Sequence, residues 1–197
     1  QIDQYVSKYL MNVSDKVDKV CNIIYAVLDA LDYVHSRGVI HRDIKPSNIM
    51  MENESNVRLM DLGIARMNGG NSFSSFGFIG TPQYSAPEQI LRGEKSNVQI
   101  NASTDIYELG ITFYELLTGA NPFDTNTEAE TLSKQMKEKL PYDDKIPKKL
   151  MQVIWKATEK DQGKRYQTAL DFKRAIEDAM TPEDTFLDKI RKWFTGN

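Results

Sequence analysis

Within eight residues, His41-Arg42-Asp43-Ile44-Lys45-Pro46-Ser47-Asn48, the chain carries a carboxylate, an ammonium and an amide. A carboxylate held near a hydroxyl can align it and accept its proton. An ammonium two positions further on can neutralise charge that develops on an anionic group. A second carboxylate, Asp61, follows in Asp61-Leu62-Gly63. An amide oxygen from Asn48 and a carboxylate oxygen from Asp61 are hard ligands of the kind Mg²⁺ takes, with water or phosphate completing its shell.

These residues must be held by the elements around them. Val17, Val20, Ile24, Val27, Leu28, Leu31 and Val34 recur at helical spacing, which predicts a helix from about Ser14 to Ser36. Ser14 or Asp15 can cap it, and Gly38 can end it. A shorter helix is expected over Gln4 to Leu10. Val39-Ile40 reads as a short strand entering the polar octapeptide. Asn48 to Met51 and Val57 to Met60 are apolar runs separated by the polar stretch Glu52 to Asn56, so a hairpin is predicted. Met67 to Phe78, rich in Gly, Ser and Asn, is expected to be a mobile loop. The second half reads as helices over Thr104 to Thr118, Thr127 to Lys139, Pro147 to Thr158 and Thr168 to Met180. The first of these is apolar on most sides, as a helix buried mid-domain would be. Thr181 and Pro182 then open an amphipathic segment through Phe186, Leu187, Ile190, Trp193 and Phe194. We expect it to dock on the domain. A helix at a membrane surface or on a partner is the sharper reading, since Lys189, Arg191 and Lys192 flank the stripe. The expected class is α+β, predominantly α-helical, with one small β-hairpin.

The 197 residues fit one domain. A net charge of -3 argues against a dedicated nucleic-acid binder. The single cysteine, Cys21, falls in an apolar helical pattern and is expected in the core of a reduced, cytoplasmic protein. No apolar run reaches the roughly 20 residues that cross a bilayer, and no basic leader with an apolar stretch is seen. Membrane contact is expected only through the C-terminal helix or through segments outside this chain.

Together with Ala86-Pro87-Glu88, the octapeptide and Asp61-Leu62-Gly63 match the ordered signatures H-R-D-x-x-x-x-N, D-F-G and A-P-E. The chain resembles a eukaryotic-like serine/threonine protein kinase, in its C-terminal (large) lobe only. The resemblance covers about residues 1 to 180, with 181 to 194 as a helical extension. It implies a γ-phosphate transfer from MgATP to Ser or Thr of a protein. Asp43 would orient the acceptor hydroxyl, and Lys45 would sit near the transferring phosphoryl group. Asn48 and Asp61 would hold Mg²⁺, and Met50 would floor the adenine. Thr81 would position the peptide site. Arg42 would pair with a phosphate on the loop, with Ser72, Ser74 and Ser75 as candidate acceptors. Glu88 would pair with Arg165, and Asp105 would receive amide protons from the catalytic loop. The Asp105, Tyr107, Gly110 spacing and the Gly119, Pro122, Phe123 turn support the match. His41 and His35 are read as structural, and Leu62 as an apolar plug in place of Phe. No glycine-rich loop precedes the octapeptide, so the family's N-terminal lobe is the expected partner and the chain alone is expected to be inactive. The competing readings are a non-catalytic kinase-like interaction or regulatory module and, less favoured, a small-molecule phosphotransferase.

Overall fold

The computed structural model describes residues 2, 16–53, 56–62, 80–92 and 99–181. The expected helix over Gln4 to Leu10, the loop from Met67 to Phe78 with Ser72, Ser74 and Ser75, and the helical extension after Thr181 lie outside those residues. Among them the chain is mostly helical. Helix α1 spans Lys16–His35, strand β1 Ile49–Asn53 and strand β2 Asn56–Leu59. Helices α2 (Pro87–Arg92), α3 (Ala102–Thr118), α4 (Glu128–Lys137), α5 (Lys148–Ala157) and α6 (Ala169–Met180) follow.

The apolar stripe of α1 does what its spacing predicts. Val20, Ile24, Val27, Leu28 and Leu31 are buried, and the helix packs on α3, α6 and β2. Cys21 is buried beside them, and burial, with Asp18 second, pushes its thiol up to about 12. The hairpin is antiparallel, with Ile49 opposite Leu59, Met50 opposite Arg58 and Met51 opposite Val57. The register shifts between Met51 and Asn53. Val39 and Ile40, read as a strand, belong to no strand here. Two apolar residues offer too short an edge, and the Val39 amide donates back to Val34 at 3.1 Å.

Helix α3 is the axis of the domain. It begins at Ala102 rather than Thr104, because Asn101 caps it: the Asn101 side chain accepts from Ser103 N, and Thr104 Oγ1 accepts from Asn101 N. It ends at Gly119, whose φ of 86° is the left-handed stop that glycine makes cheaply. Fourteen of its 17 residues are buried, so it can offer polar groups to neighbours only where those groups are satisfied. Helix α5 presses against it: a Cβ built on Gly110 would lie 2.6 Å from Thr158 Cγ2 and 3.2 Å from Ala157 Cβ. Gly110→Ala is therefore expected to lose about 1–3 kcal/mol by overpacking. Urea unfolding checks it, and a parental midpoint would count against this close approach.

Lys160 lies inside this layer. Its Nζ donates to Tyr107 Oη at 2.6 Å and stands over the Phe123 and Tyr107 rings. Burial, then Arg165, lowers its pKa to about 7. Between pH 7 and the ordinary lysine value the unfolded chain holds the extra proton, so this residue makes stability rise with pH in that window and adds no slope below it. From pH 7 to 8.5 the parent is expected to gain up to roughly 1.4 kcal/mol per pH unit from this group. Lys160→Met should flatten that slope; equal slopes in parent and variant would refute the assignment. Among the described residues no helix is long and apolar enough to cross a membrane.

Candidate active site

The loop of residues 39 to 48, which carries the octapeptide, hangs from α3 by side-chain bonds. Asp105, fully buried in the first turn of α3, accepts from His41 N at 2.9 Å and from Arg42 N at 2.8 Å. It also contacts His35 Nε2 at 2.7 Å. Two adjacent amides aimed at one carboxylate demand a tight bend, and Arg42 takes a φ of 68°. A non-glycine residue there costs roughly 1–2 kcal/mol, which the buried charge-assisted bonds offset.

His41 ties the loop to the hairpin. Its Nδ1 accepts from Asp43 N at 3.3 Å, so Nε2 is the donor to Met60 O at 2.8 Å. Both ring nitrogens are engaged with backbone, as a structural histidine requires. Met60 N donates to Asn48 O at 2.7 Å, which places Asp61 at the next position of the chain beside Asn48. Asp61 is exposed and adopts a φ of 53°.

Four predicted site residues meet directly. Thr81 Oγ1 donates to Asp43 Oδ1 at 2.7 Å and accepts from Lys45 Nζ at 2.6 Å. Lys45 Nζ lies 3.1 Å from Asp43 Oδ2. The Asn48 amide nitrogen donates to Asp43 O at 2.8 Å and to Asp43 Oδ2 at 2.9 Å. A carboxylate that already receives a hydroxyl at hydrogen-bond distance, with an ammonium on the same hydroxyl, is built to align an alcohol against an anion.

The donor set suits Mg²⁺. Both bonds of the Asn48 amide use its nitrogen, so its oxygen accepts from no side chain among the described residues. Asp61 adds an exposed carboxylate from the adjoining bend. Among the described residues no cluster of three or more His, Cys, Asp or Glu could enclose a metal, so the remaining ligands would be phosphate oxygens and water. Met50 and Leu62 are large apolar side chains left 43% and 37% exposed beside this bend. A groove of about 540 Å³ is lined by Lys45 and Thr81 together with Ser47, Gln83, Glu115 and Asn121. Tyr84 donates to Glu115 Oε2 at 2.8 Å on its wall, and burial pushes the Tyr84 hydroxyl up.

The expected brace is present. Arg165 meets Glu88 with both ends of its fork, at 2.7 and 2.8 Å, in a buried setting. Among the described residues the buried Nε of Arg42 meets no partner, and the serines expected to serve Arg42 lie outside those residues. Sequence reasoning missed Glu108, Gln89 and Thr112, which also hold the loop. Glu108 Oε2 accepts from Ile44 N at 2.7 Å, and Thr112 Oγ1 donates to Ile44 O at 3.3 Å. For Glu108 and Thr112 a signal was present, since 105, 108 and 112 share one face of α3; Gln89, in the six-residue α2, gave none.

The family model described as protein kinase domain matches residues 3–177, and the chain belongs to that family. The family's cofactors are ATP and Mg²⁺. A probable serine/threonine-protein kinase PknB of Lactococcus lactis is 35% identical over 170 residues, covering 84% of this chain and 26% of that protein. A probable PknB of Bifidobacterium longum is 39% identical over 162 residues, 78% of this chain and 23% of its own length. Serine/threonine-protein kinase PrkC of Bacillus subtilis is 32% identical over 163 residues, 80% of this chain and 24% of its own. The chain thus spans about a quarter of the length of the curated relatives it matches.

Proposed function

We propose that this chain is the acceptor-orienting and metal-holding part of a serine/threonine protein kinase. The observation that carries this reading is the hydroxyl of Thr81 seated between the Asp43 carboxylate and the Lys45 ammonium. A serine or threonine of a protein substrate takes the same kind of bond to Asp43, which aligns its oxygen and accepts its proton. Lys45 neutralises oxygens of the group in transfer. MgATP, when bound, supplies the phosphoryl group and the metal charge that offsets its oxygens. Asn48 and Asp61 hold the metal, Met50 underlies the base, and Thr81 positions the peptide. Arg42 orders the loop through a phosphate on Ser72, Ser74 or Ser75. In this reading residues 1–180 form the C-terminal lobe and residues 181–194 a helical extension. The family's N-terminal lobe completes the nucleotide pocket, so the 197 residues alone transfer no phosphate. The lobe works in the cytoplasm.

The complete protein carrying this chain, given labelled ATP, Mg²⁺ and a mixed protein substrate, is expected to form phosphoserine or phosphothreonine. EDTA in excess should abolish the transfer. Phosphotyrosine as the sole product, or transfer that survives EDTA, would overturn the proposal. No transfer at all would favour the non-catalytic module.

A further inference from the structure

The backbone on either side of Asp43 is bracketed by four bonds from elsewhere in the chain. Arg42 N goes to Asp105 and Ile44 O receives Thr112. Arg42 O accepts from Gln89 Nε2 at 3.0 Å, and Ile44 N donates to Glu108 Oε2 at 2.7 Å. The last two bonds belong to one unit, because Gln89 Nε2 also donates to Glu108 Oε1 at 2.8 Å. The other end of the same amide, Gln89 Oε1, accepts from Ala86 N at 2.7 Å. Gln89 sits in α2, at the end of the segment that carries Thr81.

A carboxylate at position 108 is poorly explained by packing alone. The side chain is 1% exposed, between Tyr107 and Leu109 in the buried helix α3. Asp105 lies one turn away on the same face, and Asp43 directly precedes Ile44 in the loop. Burial first, then the Asp105 and Asp43 charges, raises the Glu108 pKa, while the Ile44 and Gln89 donors lower it. A carboxyl group kept in so unfavourable a place is matched by the two donors that it receives, one from the loop and one from Gln89.

We infer that Glu108 and Gln89 act as one positioning pair for phosphotransfer, fixing the peptide planes on both sides of Asp43 and tying them to the segment that bears Thr81. The inference rests on the function proposed above. Neither side chain touches the reacting atoms; both act through the orientation of Asp43. Loss of the pair lets the Asp43 carboxylate tilt from the acceptor hydroxyl, and displacements of about 1 Å cost up to 10²-fold in rate. Neither Glu108 nor Gln89 bonds to Asn48 or Asp61, and Asn48 meets the tethered peptide plane only through Asp43 O, so nucleotide binding should change far less than kcat.

The test uses the complete protein: parent, Glu108→Gln, Gln89→Leu, the double variant, and Asp43→Asn as a control. Each single variant is expected to lose roughly 10–100-fold in kcat, with KM for MgATP within about twofold of the parent. The double variant should be no worse than the poorer single one, since the two act as a unit. A kcat within twofold of the parent in Glu108→Gln, or losses that multiply in the double variant, overturns the inference. Should the Glu108 variant not fold, the kcat-against-KM split in Gln89→Leu decides by the same criterion. Hydrogen exchange of the parent gives an answer without any variant: the Ile44 amide should be strongly protected, and exchange at the rate of an exposed amide refutes its bond to Glu108. A parent that transfers no phosphate overturns both readings. Activity lost in Asp43→Asn but kept in Glu108→Gln overturns this one alone.

Discussion

Asp43→Asn in the complete protein should lower kcat for phosphorylation of serine or threonine by about 10²–10⁴-fold, the usual contribution of a positioned proton acceptor. The change is nearly isosteric, so the loss is chemical. The Asp43 carboxylate receives Thr81 Oγ1, Asn48 Nδ2 and the Lys45 ammonium within 3.1 Å. All three partners approach it as donors or as positive charge. An amide presents one acceptor oxygen and one NH₂ group, so at least one of the three meets a donor where it had an acceptor. The amide also takes no proton from the acceptor hydroxyl. Lys45 loses its counter-charge, and its ammonium then competes for phosphate oxygens without a fixed orientation. KM for MgATP should change much less, because the substitution leaves the Asn48 side-chain oxygen and the Asp61 carboxylate in place. Steady-state kinetics over both substrates separates these effects, and a kcat within tenfold of the parent would remove Asp43 from the proposed role.

Glu88→Ala should cost about 3–5 kcal/mol of stability, the range for breaking one side of a buried ion pair. For a domain of this size that is a fall of roughly 6–20 °C in melting midpoint. The pair has no slack. Arg165 is 3% and Glu88 5% exposed, and the fork is bidentate. Glu88 Oε1 also accepts from Thr104 Oγ1 at 2.8 Å and Gln162 Nε2 at 3.2 Å, which ties it to the start of α3. Arg165 further donates to Ser103 O at 3.1 Å and Glu159 O at 2.6 Å. Truncating Glu88 strands a guanidinium that water cannot reach, beside the cap that positions Asp105. Replacing both members by apolar residues of similar volume should recover much of the loss, because the stranded charge disappears with its partner. A midpoint for Glu88→Ala equal to the parent's would refute the argument.

Local pattern decided much of this protein. The stripe of α1, the hairpin runs and the helices after Thr104 follow from spacing that tertiary contacts only confirm. The signature residues stood out through their order along the chain and the resemblance that order carries, not through residue type alone. Helix α2 was invisible, since six residues give no period to count. Val39-Ile40 misled, since two apolar residues look like a strand edge whether or not a partner exists.

What only the tertiary structure decided is which distant groups close on the loop. Glu108 reaches Ile44 across 64 residues and Gln89 reaches Arg42 across 47. Nothing within one element's period specifies such a meeting. A buried acid reads in sequence as an interruption of an apolar helix, and its purpose emerges only when the amide it satisfies is seen beside it. Likewise the left-handed bend at Arg42 belongs to no local preference; it exists because Asp105 collects two successive amides. The sequence alone therefore supplied the groups on which the proposed chemistry draws. The folded core settled the direction in which that chemistry points, because buried donors and acceptors must find one another wherever the chain brings them.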